Sequence, residues 1–468
     1  MINKSIDSDD TIAAICTGSN STITVIRISG KKSKEICNKI FYPVNKSQNP
    51  INDPKKLILG NLFKYKNNDF GETAFAIYIP APKTYTGENI LEIHAHGGNY
   101  NSVRILNKIL EYGVRLANPG EFTYRAFING KIDLTQAEAI ADLISSSNIS
   151  SSRLAEIQMS GKLSKLIIII RNNFIEILAN LEAIINFPEE NIKNIDLNNT
   201  LNMISTHNKK LKEMYNTKDI KMLLENGMKI SIVGPSNTGK STLLNTLLGI
   251  NRSITSNIPG TTRDTIEEYF NINDAITMIK LVDTAGIRIT NQKIEKIGIK
   301  RSIKAIKESQ IILCLLDSSE KISILKENIK NITNILLKYK KDKSIIFLWN
   351  KIDLIINNKL PNIEHYQTLK ISAKKNIGIK KLIDAITKEL NSKLPNVESG
   401  LIVSLRHAKL IEKILKIISK IIINLKNNEL ELVIIDLQSV IKLLGNIVGI
   451  SKELDIYDTI FSKFCIGK

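Results

Sequence analysis

Tryptophan is nearly missing from this chain: Trp349 is the only one in 468 residues, and the three aromatic types together make up 5%. With so few rings, no basic stripe interleaved with aromatics, of the kind on which bases stack, is available. Cysteine is as sparse. Cys16, Cys37, Cys314 and Cys465 form no C-x-x-C pair, which argues against a zinc site and against a disulfide framework and suits a reducing compartment. Long apolar runs are lacking too. The greasy stretch Ile167 to Ile170 is bounded by Lys165 and Arg171 and falls far short of a membrane span. The opening MINKSIDSDDTIAAICTG carries early acids and no apolar core, so it does not read as a signal peptide. A cytoplasmic protein without a membrane segment is the expectation.

Basic residues are abundant: 65 Lys and Arg face 46 Asp and Glu, a formal charge of +19. Such an excess can mark a nucleic-acid partner, because cations that neutralise phosphates release counterions. Here Lys, Ile and Asn are used heavily even in core-like segments, so the charge reads as a compositional habit rather than a basic binding face. With 43% hydrophobic residues the chain can bury about three domains.

Residues 1–118 alternate short β-branched runs with turns. Ile23 to Ile28, Thr73 to Ile79 and Leu91 to His94 predict strands, and Asn101 to Tyr112 a helix, so this part is α+β. His94 and His96 share one face of an extended segment before Gly97-Gly98; they are open to a metal role or to a structural, ligand-lining one. Residues 119–226 turn helical, over Leu134 to Ser146, Ile149 to Phe187 and Leu201 to Leu224. Asp133 and Thr135 offer caps to the first of these, and Pro188-Glu-Glu marks a break. Amphipathic helices of this kind need helical partners. The same pattern returns only at residues 395–468, with Leu401 to Phe464 helical. One helical domain built from two separated pieces is therefore expected, with residues 227–394 inserted between them.

That insert opens on a β-branched run, Lys229 to Val233, and then Gly234-Pro-Ser-Asn-Thr-Gly239-Lys240-Ser241, which fits G-x-x-x-x-G-K-[ST] between a strand and a helix. The loop through Asn237, Thr238, Gly239 and on to Thr242 can turn its N–H groups onto phosphates at a positive helix end. Lys240 suits the outer phosphates, and the Ser241 hydroxyl suits Mg²⁺. Further on, Ser256-Asn257-Ile258-Pro259-Gly260-Thr261-Thr262 forms a polar loop in which Thr262 can complete the Mg²⁺ shell. Asp283-Thr284-Ala285-Gly286 ends a strand with an acid and offers a glycine N–H to a γ-phosphate. Ile311 to Leu316 and Ser344 to Leu348 read as parallel strands buried on both faces.

Asn350-Lys351-Ile352-Asp353 follows, and a carboxylate there accepts both the N1–H and the exocyclic amine of guanine, a pattern adenine does not supply. Ser372-Ala373-Lys374 would brace the base. The water-orienting Gln of small signalling GTPases is missing, because Ile287 stands there, and no arginine finger is evident. Glu295 is the nearest carboxylate that could orient the water. Asn237 offers a carbonyl to a monovalent cation or simply to a loop hydrogen bond.

Taken together, these motifs, the split helical part, Pro119-Gly-Glu-Phe122, Arg125-Ala-Phe127, Gln136 to Leu143 and the tail Phe464-Cys465-Ile-Gly-Lys468 resemble the MnmE (TrmE) family of bacterial tRNA modification GTPases over essentially the whole length. The resemblance implies a multidomain α+β and α/β protein. It has an N-terminal tetrahydrofolate-binding and dimerisation domain, a discontinuous helical domain and an inserted Ras-like P-loop GTPase domain.

It also implies a homodimer that joins the FAD-carrying flavoprotein MnmG in a heterotetramer. That complex places a carboxymethylaminomethyl group on the wobble uridine of certain tRNAs, with a formyl or methylene tetrahydrofolate as one-carbon source. By the same resemblance K⁺ is held by Asn237, Ser256, Ile258 and Thr261, and Glu295 is catalytic. Arg27, Glu92, Lys131 and Lys468 are folate contacts, and Cys465 is the tail cysteine required for modification. Two departures stand out: Gly18 is the only glycine of the loop before Arg27, and Pro235-Ser236 stands where the family more often has Arg-Pro. An RNA-binding ribosome-assembly or translational GTPase is the alternative, and a dimeric scaffold with vestigial hydrolysis a further one.

Overall fold

The computed structural model describes residues 10–18, 21–63, 71–146, 149–186, 197–226, 228–250, 267–271, 278–283, 303, 305–338, 343–355, 360–393, 401–450, 464 and 467. The chain divides into two compact units, one of Met1–Ser145, Ala155–Lys212 and Lys409–Lys468, the other of Ser146–Leu154 and Glu213–Ala408.

The first unit contains a seven-stranded sheet made from β1 (Ile12–Ile15), β2 (Ile23–Ser29), β3 (Phe41–Pro43), β4 (Ile58–Leu62), β5 (Glu72–Ile79), β6 (Ile90–His96) and β7 (Arg115–Leu116), in the order β3-β4-β5-β6-β2-β1-β7. Alternation sorts its two faces. Ala13, Ile26, Ile28, Ala74, Ala76, Leu91, Ile93 and Ala95 point to one side, where the helices Ser33–Ile40 and Asn99–Leu110 cover them. On the other side β2 pairs Arg27 with Glu92 of β6, and β5 sets Phe75 between Leu59 of β4 and His94 of β6. Ile23, Leu59 and Phe75 on that side are 59%, 40% and 42% exposed.

The helical part of this unit begins with a reciprocal cap. Asp133 Oδ1 accepts from the Thr135 and Gln136 N–H groups at 2.8 and 3.1 Å, while Gln136 Oε1 accepts from Asp133 N–H at 3.0 Å. The helix Leu134–Ser145 follows. The periodic stretch from Ile149 is not one helix: it splits into Ile149–Met159 and Lys162–Asn186 at Gly161, whose φ of +74° is left-handed and halts the first piece. The second piece buries Leu163, Ile167, Ile170, Phe174, Ile177 and Leu181, and packs along Leu430–Val448, which buries Val433, Leu437, Val440 and Leu444. Segments far apart in sequence thus share one helical core. The C-terminal helical stretch is likewise interrupted, into Leu405–Lys426 and Leu430–Val448, at Asn428 with φ +60°. In the second unit, Lys218–Asn226 follows the end of Leu197–Tyr215 after a break where the Thr217 hydroxyl donates to the Met214 carbonyl at 2.7 Å.

The second unit holds a six-stranded sheet of β8 (Met228–Val233), β9 (Glu267–Asn271), β10 (Met278–Asp283), β11 (Ile311–Asp317), β12 (Ser344–Asn350) and β13 (Gln367–Lys370), in the order β13-β12-β11-β8-β10-β9. All neighbours run parallel except β9 against β10. Every residue of β11 is buried, as a central strand covered on both faces requires. Cys37 and Cys314 are buried thiols outside any disulfide, and burial pushes Cys37 up to about 12. No helix among the described residues is long and apolar enough to cross a membrane.

Candidate nucleotide site and its neighbours

Strand β8 lies between β11 and β10, so the chain leaves it first toward one edge of the sheet and later toward the other. Ligands of open α/β sheets bind at the carboxyl ends of strands where that reversal occurs. The loop at the end of β8 is Gly234 to Gly239, followed by the helix Lys240–Ile250.

Its backbone is tightly fixed. Asn237 takes a φ of +65°, and Gly239 a φ of +94°. A Cβ on Gly239 would come within 2.5 Å of Asn350 Nδ2, so only glycine fits. The fully buried Thr238 hydroxyl and the Lys240 ammonium each donate to the Pro235 carbonyl at 2.9 Å. Ser241 and Thr242 are exposed in the first helical turn, and Asn237 is exposed at the loop's corner. A serine hydroxyl there suits a hard cation such as Mg²⁺.

Asn350 organises what surrounds the loop. Only 2% exposed, it donates to the Thr238 carbonyl at 2.8 Å and accepts from the Ala373 N–H at 3.0 Å, tying the phosphate loop to the segment that follows β13. The Thr246 hydroxyl holds the other side of that segment, donating to the Ala373 carbonyl at 2.9 Å. Asp353 sits in a 3-10 turn, Ile352–Leu354. The Ser372 hydroxyl, then the Lys375 and Lys374 ammoniums, hold its carboxyl below the usual aspartate range. Lys375 Nζ lies 3.7 Å away. An ionised acceptor is therefore poised beside Ser372-Ala373.

The structure thus brings together Asn237, Thr238, Gly239, Lys240, Ser241, Asn350, Lys351, Asp353, Ser372, Ala373 and Lys374. Asp283 closes β10, its backbone in register with Ile232 of β8. Ser256, Asn257, Ile258, Pro259, Gly260, Thr261, Thr262, Thr284, Ala285, Gly286, Glu295, Cys465 and Lys468 lie outside the described residues.

In the first unit, Arg27 Nε meets Glu92 Oε1 at 2.8 Å, each side chain about one-fifth exposed. The guanidinium lies 5.5 Å from the Tyr85 ring centre and 5.6 Å from that of Phe122. Sequence reasoning did not single out either ring as a partner of Arg27, since neither is near it in the chain. Lys131 is exposed, and its stem passes Gly87. His94 and His96 engage separate carboxylates, Glu92 at 3.6 Å and Glu72 at 2.7 Å. The Cys16 thiol, just past β1, donates to the Gly467 carbonyl at 3.1 Å.

The sheet order, the glycine-cornered loop after β8 and the acid after β12 define a P-loop guanine-nucleotide-binding protein. The MnmE helical domain family matches residues 134–465, a range that spans that domain, and the family described as the GTP-binding protein TrmE N-terminus matches residues 11–131. The tRNA modification GTPase MnmE of Clostridioides difficile (strain 630) is 38% identical over 98% of this chain and 99% of its own, and that of Acetivibrio thermocellus is 37% identical over the same shares. The one from Alkaliphilus metalliredigens is 34% identical over 98% of this chain and 99% of its own. Among solved structures, the G domain of the T. maritima FeoB iron transporter aligns with 35% of this chain and 98% of its own, at 23% identity and a TM-score of 0.27. The chain belongs to the MnmE family of tRNA modification GTPases.

Proposed function

We propose that this chain hydrolyses GTP within a complex that adds a carboxymethylaminomethyl group to C5 of the wobble uridine of certain tRNAs. The observation that carries the reading is the conjunction, in one chain, of the guanine-nucleotide site with family-matched N-terminal and helical domains. That conjunction disfavours a ribosome-assembly or translational GTPase. In this reading residues 1–118 bind folate and dimerise, 119–226 and 395–468 form the helical domain, and 227–394 form the GTPase domain.

Hydrolysis transfers the γ-phosphoryl group to water and leaves GDP. The loop N–H groups and Lys240 hold the phosphates, with Ser241 and Thr262 as Mg²⁺ ligands. Because Ile287 occupies the place of the water-orienting Gln, we assign that task to Glu295. Asn237, Ser256, Ile258 and Thr261 would hold a K⁺ ion, which would supply positive charge where no arginine finger does. The exposed, left-handed corner at Asn237 supports such a role. GTP turnover is expected to run about tenfold or more faster in KCl than in NaCl. Glu295→Ala should lower it about 10²- to 10⁴-fold while GTP affinity stays within about twofold. Equal turnover in every alkali salt would sink the cation assignment.

The Arg27–Glu92 pair, walled by Tyr85 and Phe122, supports a folate site completed by Lys131 and Lys468. A carboxylate suits the adjacent N–H donors of a pterin ring, and the rings suit its faces. Glu92→Gln should weaken 5-formyltetrahydrofolate about tenfold in a binding titration, from the loss of one charge-assisted contact. Undiminished affinity would remove Glu92 from the site. The exposed Ile23, Leu59 and Phe75 on the same sheet face support a homodimer. The FAD-bearing MnmG flavoprotein as partner, Cys465 as the reactive tail thiol, and the cytoplasm as location complete the proposal.

A further inference from the structure

Asp317 belongs to none of the motifs above. It closes β11 directly across from Asn350. Its Oδ1 accepts from the Ser319 N–H at 3.0 Å and the Ser319 hydroxyl at 2.6 Å, and its Oδ2 receives the Lys351 ammonium at 2.5 Å. That same ammonium donates to the Asn237 carbonyl at 2.8 Å. Burial would raise the Asp317 pKa, but Lys351 and the two Ser319 donors hold it below the ordinary aspartate value, so the contact is between charges. Lys351 and Asn237 are both non-glycine residues in left-handed conformations, with φ of 62° and 65°. Such conformations persist only where the surroundings fix them. One ammonium, steered by one carboxylate, joins the two.

We propose that Asp317 is a positioning residue of the nucleotide site: it clamps Lys351 onto the backbone carbonyl of Asn237 and so locks the corner of the phosphate loop to the base-reading end of β12. The inference rests on the guanine-nucleotide reading of the site and does not depend on K⁺. With the clamp closed, phosphate loop and base-reading segment release nucleotide together, and release is slow.

The test is release of a fluorescent GDP from the full chain, chased with unlabelled GDP. Asp317→Asn keeps the shape and removes the charge, and should speed release about tenfold, the value of one charge-assisted hydrogen bond. Lys351→Met should speed it by at least as much. The double variant should release no faster than Lys351→Met alone, within about twofold, because the carboxylate acts only through that ammonium. A purely structural Asp317 would instead add its effect to that of Lys351→Met. Parental release by Asp317→Asn, or additive effects in the double variant, overturns the clamp. Should Asp317→Asn fail to fold, Ser319→Ala, which loosens the carboxylate, takes its place: faster release that is not additive with Lys351→Met supports the clamp, and parental or additive release overturns it. If the parent shows no K⁺ stimulation, the cation assignment falls and the clamp is still decided by GDP release.

Discussion

Replacing Asp353 by asparagine is expected to weaken GTP binding about a hundredfold or more and to raise the affinity for xanthosine triphosphate. The carboxylate accepts two hydrogen bonds from the guanine edge, and an amide offers one acceptor and one donor. Guanine then faces an N–H with its own amine, leaving donors opposed and unpaired. Xanthine carries a carbonyl where guanine has the amine, and that carbonyl accepts what the amide donates. Asp353 is suited to the wild-type task because the Ser372 hydroxyl and the Lys375 and Lys374 ammoniums keep it ionised below its ordinary value of 3.8. Guanine recognition by this group should therefore persist into mildly acidic solution. Competition titrations with the two triphosphates give the answer, and an Asp353→Asn protein that still prefers GTP at parental affinity would show the base is read elsewhere.

Arg125→Leu is expected to cost the first unit about 3–5 kcal/mol, as is usual when one partner of a buried ion-pair network is removed. Arg125 is 4% exposed and contacts Glu88 at 3.1 Å, Glu121 at 3.1 Å and Asp10. Arg115 shares two of these acids, meeting Glu121 at 2.5 Å and Asp10 at 2.7 Å. Without Arg125, Glu121 and Asp10 keep Arg115, while Glu88 loses its ion-pair partner in this network. Lysine would not rescue, since a point charge does not span three acceptors as the guanidinium fork does.

The pH dependence has a definite sign. Burial raises Asp10, but hydrogen bonds from Arg115 and Arg125 outweigh it and leave the carboxyl below its ordinary 3.8. The stabilisation from Asp10 is complete above that ordinary value and is lost as pH falls through the lower, folded one. Arg125→Leu removes part of the lowering, so acid should unfold the variant at a higher pH than the parent. Thermal melts of the full chain from pH 7 downward measure both effects, and a variant melting within about one degree of the parent would show that the network contributes little.

Much of the nucleotide domain was legible in sequence because its chemistry is written in short, contiguous motifs: a strand, a glycine-cornered loop and a helix for the phosphates, and Asn350 to Asp353 for the base. Continuous apolar runs likewise gave away β11 and β12, since strands buried on both faces have no polar side to alternate with. Periodicity found the helical part but ran through its interruptions. Gly161, Thr217 and Asn428 stop helices by local backbone geometry, without disturbing the apolar spacing on either side. The groups hardest to read were those assembled from afar. Asp317 is a lone acid at a strand end, and Asp10, Glu88, Glu121 and Arg125 become one network only when the sheet and the helix Glu121–Ile128 meet. The wall of Tyr85 and Phe122 around Arg27 was hidden for the same reason.

The pairing of Lys162–Asn186 with Leu430–Val448 sets a timetable for biosynthesis. A chain emerging from the ribosome delivers the first helix long before its mate, with the entire inserted domain translated in between. The insert carries its own core and can fold as it appears, whereas the earlier helix, although Phe174 already meets the His207 ring of Leu197–Tyr215, must wait for its C-terminal mate. Nascent chains stalled after the insert should therefore be the ones that chaperones hold.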